Sequence, residues 1–353
     1  MNLIPSQNSF SNAAESPKAI ALLSGGLDSA LAAALVKSWG IKTIGLHLTS
    51  PFSCLVEVEE VAQELNIKLV IKDKGEAFVD LVGAPKYGYG SQMNPCIDCR
   101  IYMFDIAEKV LKAEKADFIV TGEVVGQRPL SQTKSNITFI EKKSPLEHRV
   151  LRPLCGGNLP PTLAEEKGWI QREQLLKISG RGRTEQLALA KKLGISAFSS
   201  PGGGCLLTEA AFSERLKDFY TFTSYRSSEE KMAQAKMLRL GRHFKIDRSL
   251  KVIVARTDSE TQEITALWPS SGATLYEPIN YKGPVAVSFG TLSLEHKTQI
   301  ARLLARYGRR NHLEPFITRL KTQFSSMKQI EELLQVETPV AESTLNSWRI
   351  GTT

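Results

Sequence analysis

Cysteine is scarce in this chain: five in 353 residues, at positions 54, 96, 99, 155 and 205. So sparse and odd a set excludes a disulfide-stapled scaffold and points to a reducing, cytoplasmic compartment. Long apolar runs are missing as well. No segment approaches the roughly 18 residues that a membrane-spanning helix needs, so no membrane partner is expected. The polar stretch from Met1 to Ser16 lacks the apolar centre of a secretory signal. There is no internal repeat and no low-complexity block. Against these absences stand a hydrophobic fraction of 42% and a charged fraction of 23%, ordinary values for a globular protein with a real core. The length suggests about two domains, or three.

The charge balance is mildly basic, +8 in all. Residues 1–210 hold 24 basic and 22 acidic side chains, net +2, whereas residues 211–353 hold 21 and 15, net +6. A polyanion partner, nucleic acid being the commonest, accounts for this excess, and so does a merely solubilising basic surface.

From Lys18 onward, short apolar runs alternate with helical spacing. Ala19 to Leu23, Ile41 to Leu48, Ile67 to Ile71 and Asp117 to Thr121 read as strands. Asp28 to Trp39 (closed by Gly40), Val56 to Leu65 and Cys99 to Lys115 read as helices. Strands separated by helices of this length imply right-handed crossovers, hence an α/β doubly wound parallel sheet. The spacing predicts short helices near Gln171 to Ile178 and Thr184 to Leu193. Beyond Leu238 come strands at Lys251 to Ala255 and Val285 to Phe289 and a basic helix from Leu294 to Arg310, which suggest a small α+β domain. The domain plan is therefore residues 1–17 as an extension, 18–210 as the α/β domain, 211–237 as a linker helix, 238–336 as the second domain and 337–353 as a tail.

The first chemistry-bearing motif is Ser24-Gly25-Gly26-Leu27-Asp28-Ser29, set between the first strand and a helix start. Two glycines let the backbone approach a ligand closely, and the helix N-terminus offers amides and a positive dipole end to an anion. Ser24 and Ser29 add hydroxyls. A bare carboxylate at Asp28 would repel phosphate, so its presence makes sense if it binds Mg²⁺ bridging the phosphates. The loop has neither the Gly-Lys-Ser/Thr of a Walker A motif nor the Gly-x-Gly-x-x-Gly of dinucleotide binders.

The second motif is Asn94-Pro95-Cys96-Ile97-Asp98-Cys99-Arg100, just before a helix, and the third is Ser200-Pro201-Gly202-Gly203-Gly204-Cys205. Three sulfurs without a nearby fourth Cys or His do not make a closed zinc site. They suit a 4Fe–4S cluster with one open iron, or a persulfide carried on one cysteine and resolved by another, or else zinc or plain structural thiols. Cys54 and Cys155 read as packing thiols, Cys155 being conceivable as a fourth ligand. Asp98 is an acid/base candidate by position only, with a helix-cap role as the plainer alternative. His47, at the end of the second strand, is a ligand-contact candidate whose plainer reading is packing or a contact through its backbone.

Ser24–Ser29 resembles the PP-loop of the ATP pyrophosphatases. With Asn-Pro-Cys-x-x-Cys before a helix and a Pro-Gly-Gly-Gly-Cys loop, residues 18–210 resemble the tRNA sulfurtransferases, closest to the ThiI-type 4-thiouridine synthetases and sharing their layout with the MnmA-type 2-thiouridylases. The resemblance implies an adenine nucleotide alpha hydrolase-like fold, ATP and Mg²⁺ as cofactors, tRNA as partner, and 4-thiouridine slightly ahead of 2-thiouridine as product. It implies Asp28, Cys99 and Cys205 as catalytic residues, with Cys96, Cys99 and Cys205 as ligands of a 4Fe–4S cluster. It also implies nucleotide and RNA contacts at Thr121-Gly122, Gln127 and Arg128, with Leu151-Arg152-Pro153-Leu154 as the next matching segment. The sulfur donor is open between free sulfide and a persulfide carrier, and a homodimer is compatible with the pattern.

Two departures matter. ThiI-type enzymes usually carry a THUMP module, and some a rhodanese domain; only residues 1–17 precede the first strand here, and no rhodanese pattern is visible. Leu240-Gly241-Arg242, the 251–255 strand and Gly283-Pro284 resemble NFACT-R-like RNA-binding modules, whose helix would present Arg302, Arg306, Arg309 and Arg310. Two other readings remain: a 7-cyano-7-deazaguanine synthase-like enzyme, whose C-terminal zinc cysteines have no counterpart after Cys205, and a non-catalytic RNA-binding protein.

Overall fold

Lys18–Leu22 forms strand β1 because its apolar residues alternate between two buried faces. Ala19 and Ala21 pack on one side and Ile20 and Leu22 on the other, all at most 6% exposed. A strand buried on both faces belongs at the centre of a parallel sheet. The computed structural model describes residues 16–53, 58–198, 205–309, 315–323 and 329–351. The chain divides into two compact units, residues 1–90 with 94–205, and residues 206–353 with 91–93.

In the first unit, β1 is followed by α1 (Leu27–Ser38), β2 (Lys42–Thr49), α2 (Val58–Glu64), β3 (Lys68–Asp73), α3 (Gly75–Gly83), α4 (Cys96–Ala113), β4 (Phe118–Val120), α5 (Lys134–Lys143), β5 (Val150–Leu151), α6 (Leu163–Glu166) and α7 (Thr184–Leu193). The strands are all parallel, in the order β3-β2-β1-β4-β5. The expected doubly wound sheet is present. Strand order reverses between β1 and β4, and in such sheets ligands bind beyond the strand C-termini at that point. Both the Ser24–Ser29 loop and Thr121-Gly122 lie there. The short helix expected over Gln171 to Ile178 is instead one 3-10 turn at Arg172–Gln174. Beyond it the chain runs extended, Leu176 and Ile178 donating amide hydrogen bonds to Pro153 and Leu154 carbonyls.

The second unit holds α8 (Ala210–Thr221), α9 (Ser228–Met237), β6 (Arg242–Asp247), β7 (Leu250–Val254), α10 (Asp258–Leu267), β8 (Thr274–Pro278), β9 (Ala286–Gly290), α11 (Leu294–Tyr307), β10 (Phe316–Gln323), β11 (Gln329–Val336), α12 (Glu342–Trp348) and β12 (Arg349–Ile350). Its antiparallel sheet runs β11-β10-β8-β9-β7-β6-β12. Phe244, Val252 and Tyr276 face Ile300 and Leu304 of α11 and Trp348 of α12. Ile253, Leu275 and Val287 face Met237 of α9 and Ile264 of α10. The expected small α+β unit is thus larger than its sequence boundaries. Residues 211–237 are two helices rather than one linker. Residues 337–353 are not a tail, because Leu345 and Trp348 enter the core and β12 pairs with β6. Among the described residues no helix is long and apolar enough to cross a membrane.

Candidate active site

The Ser24–Ser29 loop owes its shape to three residues. Gly25 has φ +74°, a conformation that favours glycine. Gly26 caps α1 without a side-chain hydrogen bond, so no side chain occupies the helix N-terminus. Ser29 accepts a hydrogen bond from the Ser24 amide at 3.1 Å and donates one to the Gly26 carbonyl at 2.8 Å, closing the loop on itself. The two hydroxyls, Ser24 Oγ and Ser29 Oγ, lie 3.2 Å apart. The Leu27 side chain is core, 4% exposed, leaving its backbone for a ligand. His47, 9% exposed, donates from Nδ1 to the Leu23 carbonyl at 2.8 Å; its ring buttresses the entry to the loop.

Asp28 is held by Gln127, whose Nε2 donates to Asp28 Oδ2 at 2.8 Å. The other Asp28 oxygen and Gln127 Oε1 are both buried without a hydrogen-bond partner. Two unpartnered oxygens at a helix N-terminus suit a hard cation. These residues therefore fit Mg²⁺, which would be held by Asp28 and Gln127 and would neutralise phosphate charge. Gly122 fixes the same corner: a Cβ there would stand 2.4 Å from the Asp28 carbonyl carbon and oxygen.

Beneath the site lies a buried ion-pair network. Glu123, 3% exposed, accepts from Arg152 Nε at 3.0 Å and Thr121 Oγ1 at 3.1 Å, and meets Arg100 Nε at 3.2 Å. Arg152 Nη1 reaches Glu141 at 2.7 Å. Burial opposes the charge on Glu123, but Arg100 and Arg152 outweigh it and hold the carboxyl below its usual range. Arg100 ties the cysteine helix into this network.

α4 begins three residues earlier than the sequence suggests, which puts Cys96 and Cys99 together on its first turn. Asp98 accepts backbone hydrogen bonds from Lys86 at 2.9 Å and Tyr87 at 3.0 Å. Its carboxylate clasps the preceding loop. Cys99 Sγ faces the Lys74 ammonium at 3.7 Å and Met103 Sδ at 3.9 Å. Lys74 lies 4.2 Å over the Phe78 ring. Burial and the neighbouring Cys99 push the Cys96 thiol up, opposed by the Arg128 and Arg100 guanidiniums. Lys74 escaped the sequence reading because β3 runs to Asp73 rather than Ile71. The residue after a strand's C-terminal end, at the crevice, is the signal that could have found it.

Cys205 is partly exposed, and the glycine run before it, 202–204, lies outside the described residues, as do Cys54 and Arg310. Among the described residues no three Cys, His, Asp or Glu are grouped closely enough to hold a metal ion. Cys96, Cys99 and Cys205 belong to no such group among the described residues. Cys155 is no fourth ligand: it is fully buried and its thiol, donating to the Glu123 carbonyl at 3.1 Å, is pushed up to about 11 by burial.

Comparison with known proteins follows the two units. Residues 14–159 match the family described as Thiamine biosynthesis protein (ThiI), and residues 241–349 match the NFACT protein RNA binding domain. A probable tRNA sulfurtransferase of Methanocaldococcus jannaschii is 31% identical over 144 residues, covering 39% of this chain and 37% of the relative. One from Natranaerobius thermophilus is 34% identical over 152 residues, covering 39% and 35%. The chain thus spans little more than a third of the length of these relatives. A solved 4-thiouridine synthetase–RNA complex with bound ATP is 25% identical, covering 50% of this chain and 51% of its own, with a TM-score of 0.33. The α/β unit, with its glycine loop at the strand-order reversal, is thus similar to ThiI-type PP-loop domains, and the second unit to NFACT-R-type domains.

Proposed function

We propose that the chain is an ATP-dependent tRNA thiolase. One observation carries the reading: the turn after β4 joins the two motifs, Gln127 holding Asp28 of the PP-loop while the Arg128 guanidinium acts on Cys96. Activation and sulfur delivery then share one crevice. A uridine carbonyl oxygen attacks the α-phosphorus of ATP, pyrophosphate leaves, and the O-adenylated carbon becomes electrophilic. The uncapped amides of α1 and the two serine hydroxyls supply donors to the phosphates. A sulfur nucleophile then attacks that carbon and AMP departs with the original oxygen. Gln127 and the Gly122 contact keep Asp28 in place while the phosphates move.

Free sulfide attacks the activated carbon directly, with the Lys74 ammonium beside Cys99 supplying positive charge to the anionic sulfur. From a persulfide carrier, the outer sulfur passes to Cys205; the Cys205 persulfide attacks the carbon as AMP leaves, and Cys99 then attacks Cys205 Sγ, releasing thiouridine and a Cys99–Cys205 disulfide that an external thiol reduces. The ThiI match supports 4-thiouridine slightly ahead of 2-thiouridine as product. The NFACT-R-type unit holds the RNA.

The test is RNA-dependent pyrophosphate release from ATP in the presence of sulfide, with Asp28→Ala beside the parent chain. The reading expects release that requires both RNA and Asp28. Release from the variant at the parent rate contradicts it. Iron and acid-labile sulfide on anaerobically purified protein assign the sulfur route: about four irons per chain, lost in Cys205→Ala, restores the cluster, and an iron-free active protein leaves the relay.

A further inference from the structure

The loop Lys177-Ile178-Ser179-Gly180-Arg181-Gly182-Arg183 has three cations and no acid, in a half of the chain whose net charge is near neutral. It is laid directly against the turn that holds the PP-loop. Val125 and Ser179 form a parallel bridge, and the Gly180 amide donates to the Val125 carbonyl at 2.8 Å. Gly126 and Gly180 both have φ above +80°, and a Cβ on Gly126 would stand 3.4 Å from the Gly180 nitrogen. The glycines let the two backbones close. Gln127, next in the turn, is the residue bonded to Asp28.

Three arginines flank this junction: Arg128, Arg181 and Arg183. Arg128 and Arg181 are exposed and Arg183 is half-buried. None of the three guanidiniums has a hydrogen-bond or ion-pair partner among the described residues, although 152 and 172, the neighbouring arginines, are paired to glutamates. Unpaired guanidiniums gathered on a rim, in a unit with little excess charge elsewhere, are a place for phosphates.

We infer that the 177–183 loop, with Arg128, clamps backbone phosphates of the RNA strand beside the reacting nucleotide. This rests on the tRNA-thiolase reading above. RNA is favoured over the triphosphate because the cations stand exposed on the rim, whereas the nucleotide has the amides of α1. A substrate base entering the crevice brings its flanking phosphates to this edge. The loop therefore positions the nucleotide, while the NFACT-R-type unit supplies a separate hold on the RNA.

The test compares the full chain with Arg181→Ala/Arg183→Ala, Arg181→Lys/Arg183→Lys, and Lys191→Ala/Lys192→Ala, which removes the same charge from exposed positions on α7. ATP affinity is measured without RNA, and unmodified tRNA is titrated across a range of salt. The alanine pair is expected to bind tRNA about tenfold more weakly, with a salt slope lower by about 1 to 2, while ATP binding is unchanged. The lysine pair keeps the slope, and the α7 pair changes neither. An unchanged tRNA affinity and slope in the alanine pair overturns the inference, as does weakened ATP binding with tRNA binding intact, which assigns the loop to the nucleotide. An equal loss in the α7 pair overturns it too, by reducing the effect to net charge. These binding curves stand even if the parent chain releases no pyrophosphate, a failure that would count against the thiolase reading alone.

Discussion

In the proposed reaction the activation step turns on Asp28, and its surroundings fit a carboxylate that holds a cation in a phosphate loop. Gln127 satisfies one oxygen and leaves the other buried and unpartnered, so the group is prepared for a cation. Asp28→Ala is expected to lower RNA-dependent pyrophosphate release by at least about a hundredfold while the thermal unfolding curve stays close to that of the parent. The cysteines divide in the same way. Cys155, buried with its thiol pushed up to about 11, has roughly one thiolate in a thousand at pH 8. Alkylation of the native protein followed by peptide mass mapping should label Cys99 and Cys205 and spare Cys155; label at Cys155 in folded protein contradicts the assignment.

At the scale of elements, the β1–loop–α1 unit was legible because its signals agree: an apolar strand, two glycines, an Ala/Leu-rich helix and Gly40 at φ +84° to end it. The crossing of this unit by β4 was not. Nothing in Thr121-Gly122-Glu123 says that Gly122 lies against Asp28, or that Glu123 binds two arginines, one of them from α4, because these are contacts between segments distant in sequence. Gly122→Ala puts a methyl group 2.4 Å from backbone atoms. It should cost about 1–3 kcal/mol of stability and abolish ATP binding, measured by calorimetry on the folded variant. Arg302 and Arg306, which the helical spacing offers to RNA, also make contacts within their own unit: Arg302 donates to the Thr338 carbonyl at 3.2 Å and Arg306 pairs with Glu342 at 2.5 Å. They dock the segment leading into α12, whose place in the core, like the pairing of β12 with β6, the sequence hid behind short, polar-flanked runs.

For the whole molecule, the two units have different charge and different chemistry. His243 in the second unit is 1% exposed, with Nε2 donating to the Leu240 carbonyl. Burial, with Lys251 and Arg215 nearby, holds its pKa well below the usual range. It is neutral when folded and protonates in the unfolded chain below about pH 6.5. Acid therefore destabilises this unit, by about 1.4 kcal/mol per pH unit for this one group. A denaturant titration at pH 5 and pH 7.5 should show the loss, and His243→Phe should flatten it. Removing residues 206–353 should weaken tRNA binding and lower its salt slope without changing ATP affinity; an unchanged slope would dismiss the second unit as the RNA-holding part. The most direct measurement of the account is a reaction with ATP, sulfide and unmodified tRNA, followed by nucleoside mass spectrometry and a pyrophosphate count. The account predicts thiouridine formed in step with pyrophosphate, chiefly the 4-thio isomer. ATP split to ADP and phosphate, or pyrophosphate released with no sulfur entering the RNA, would contradict it.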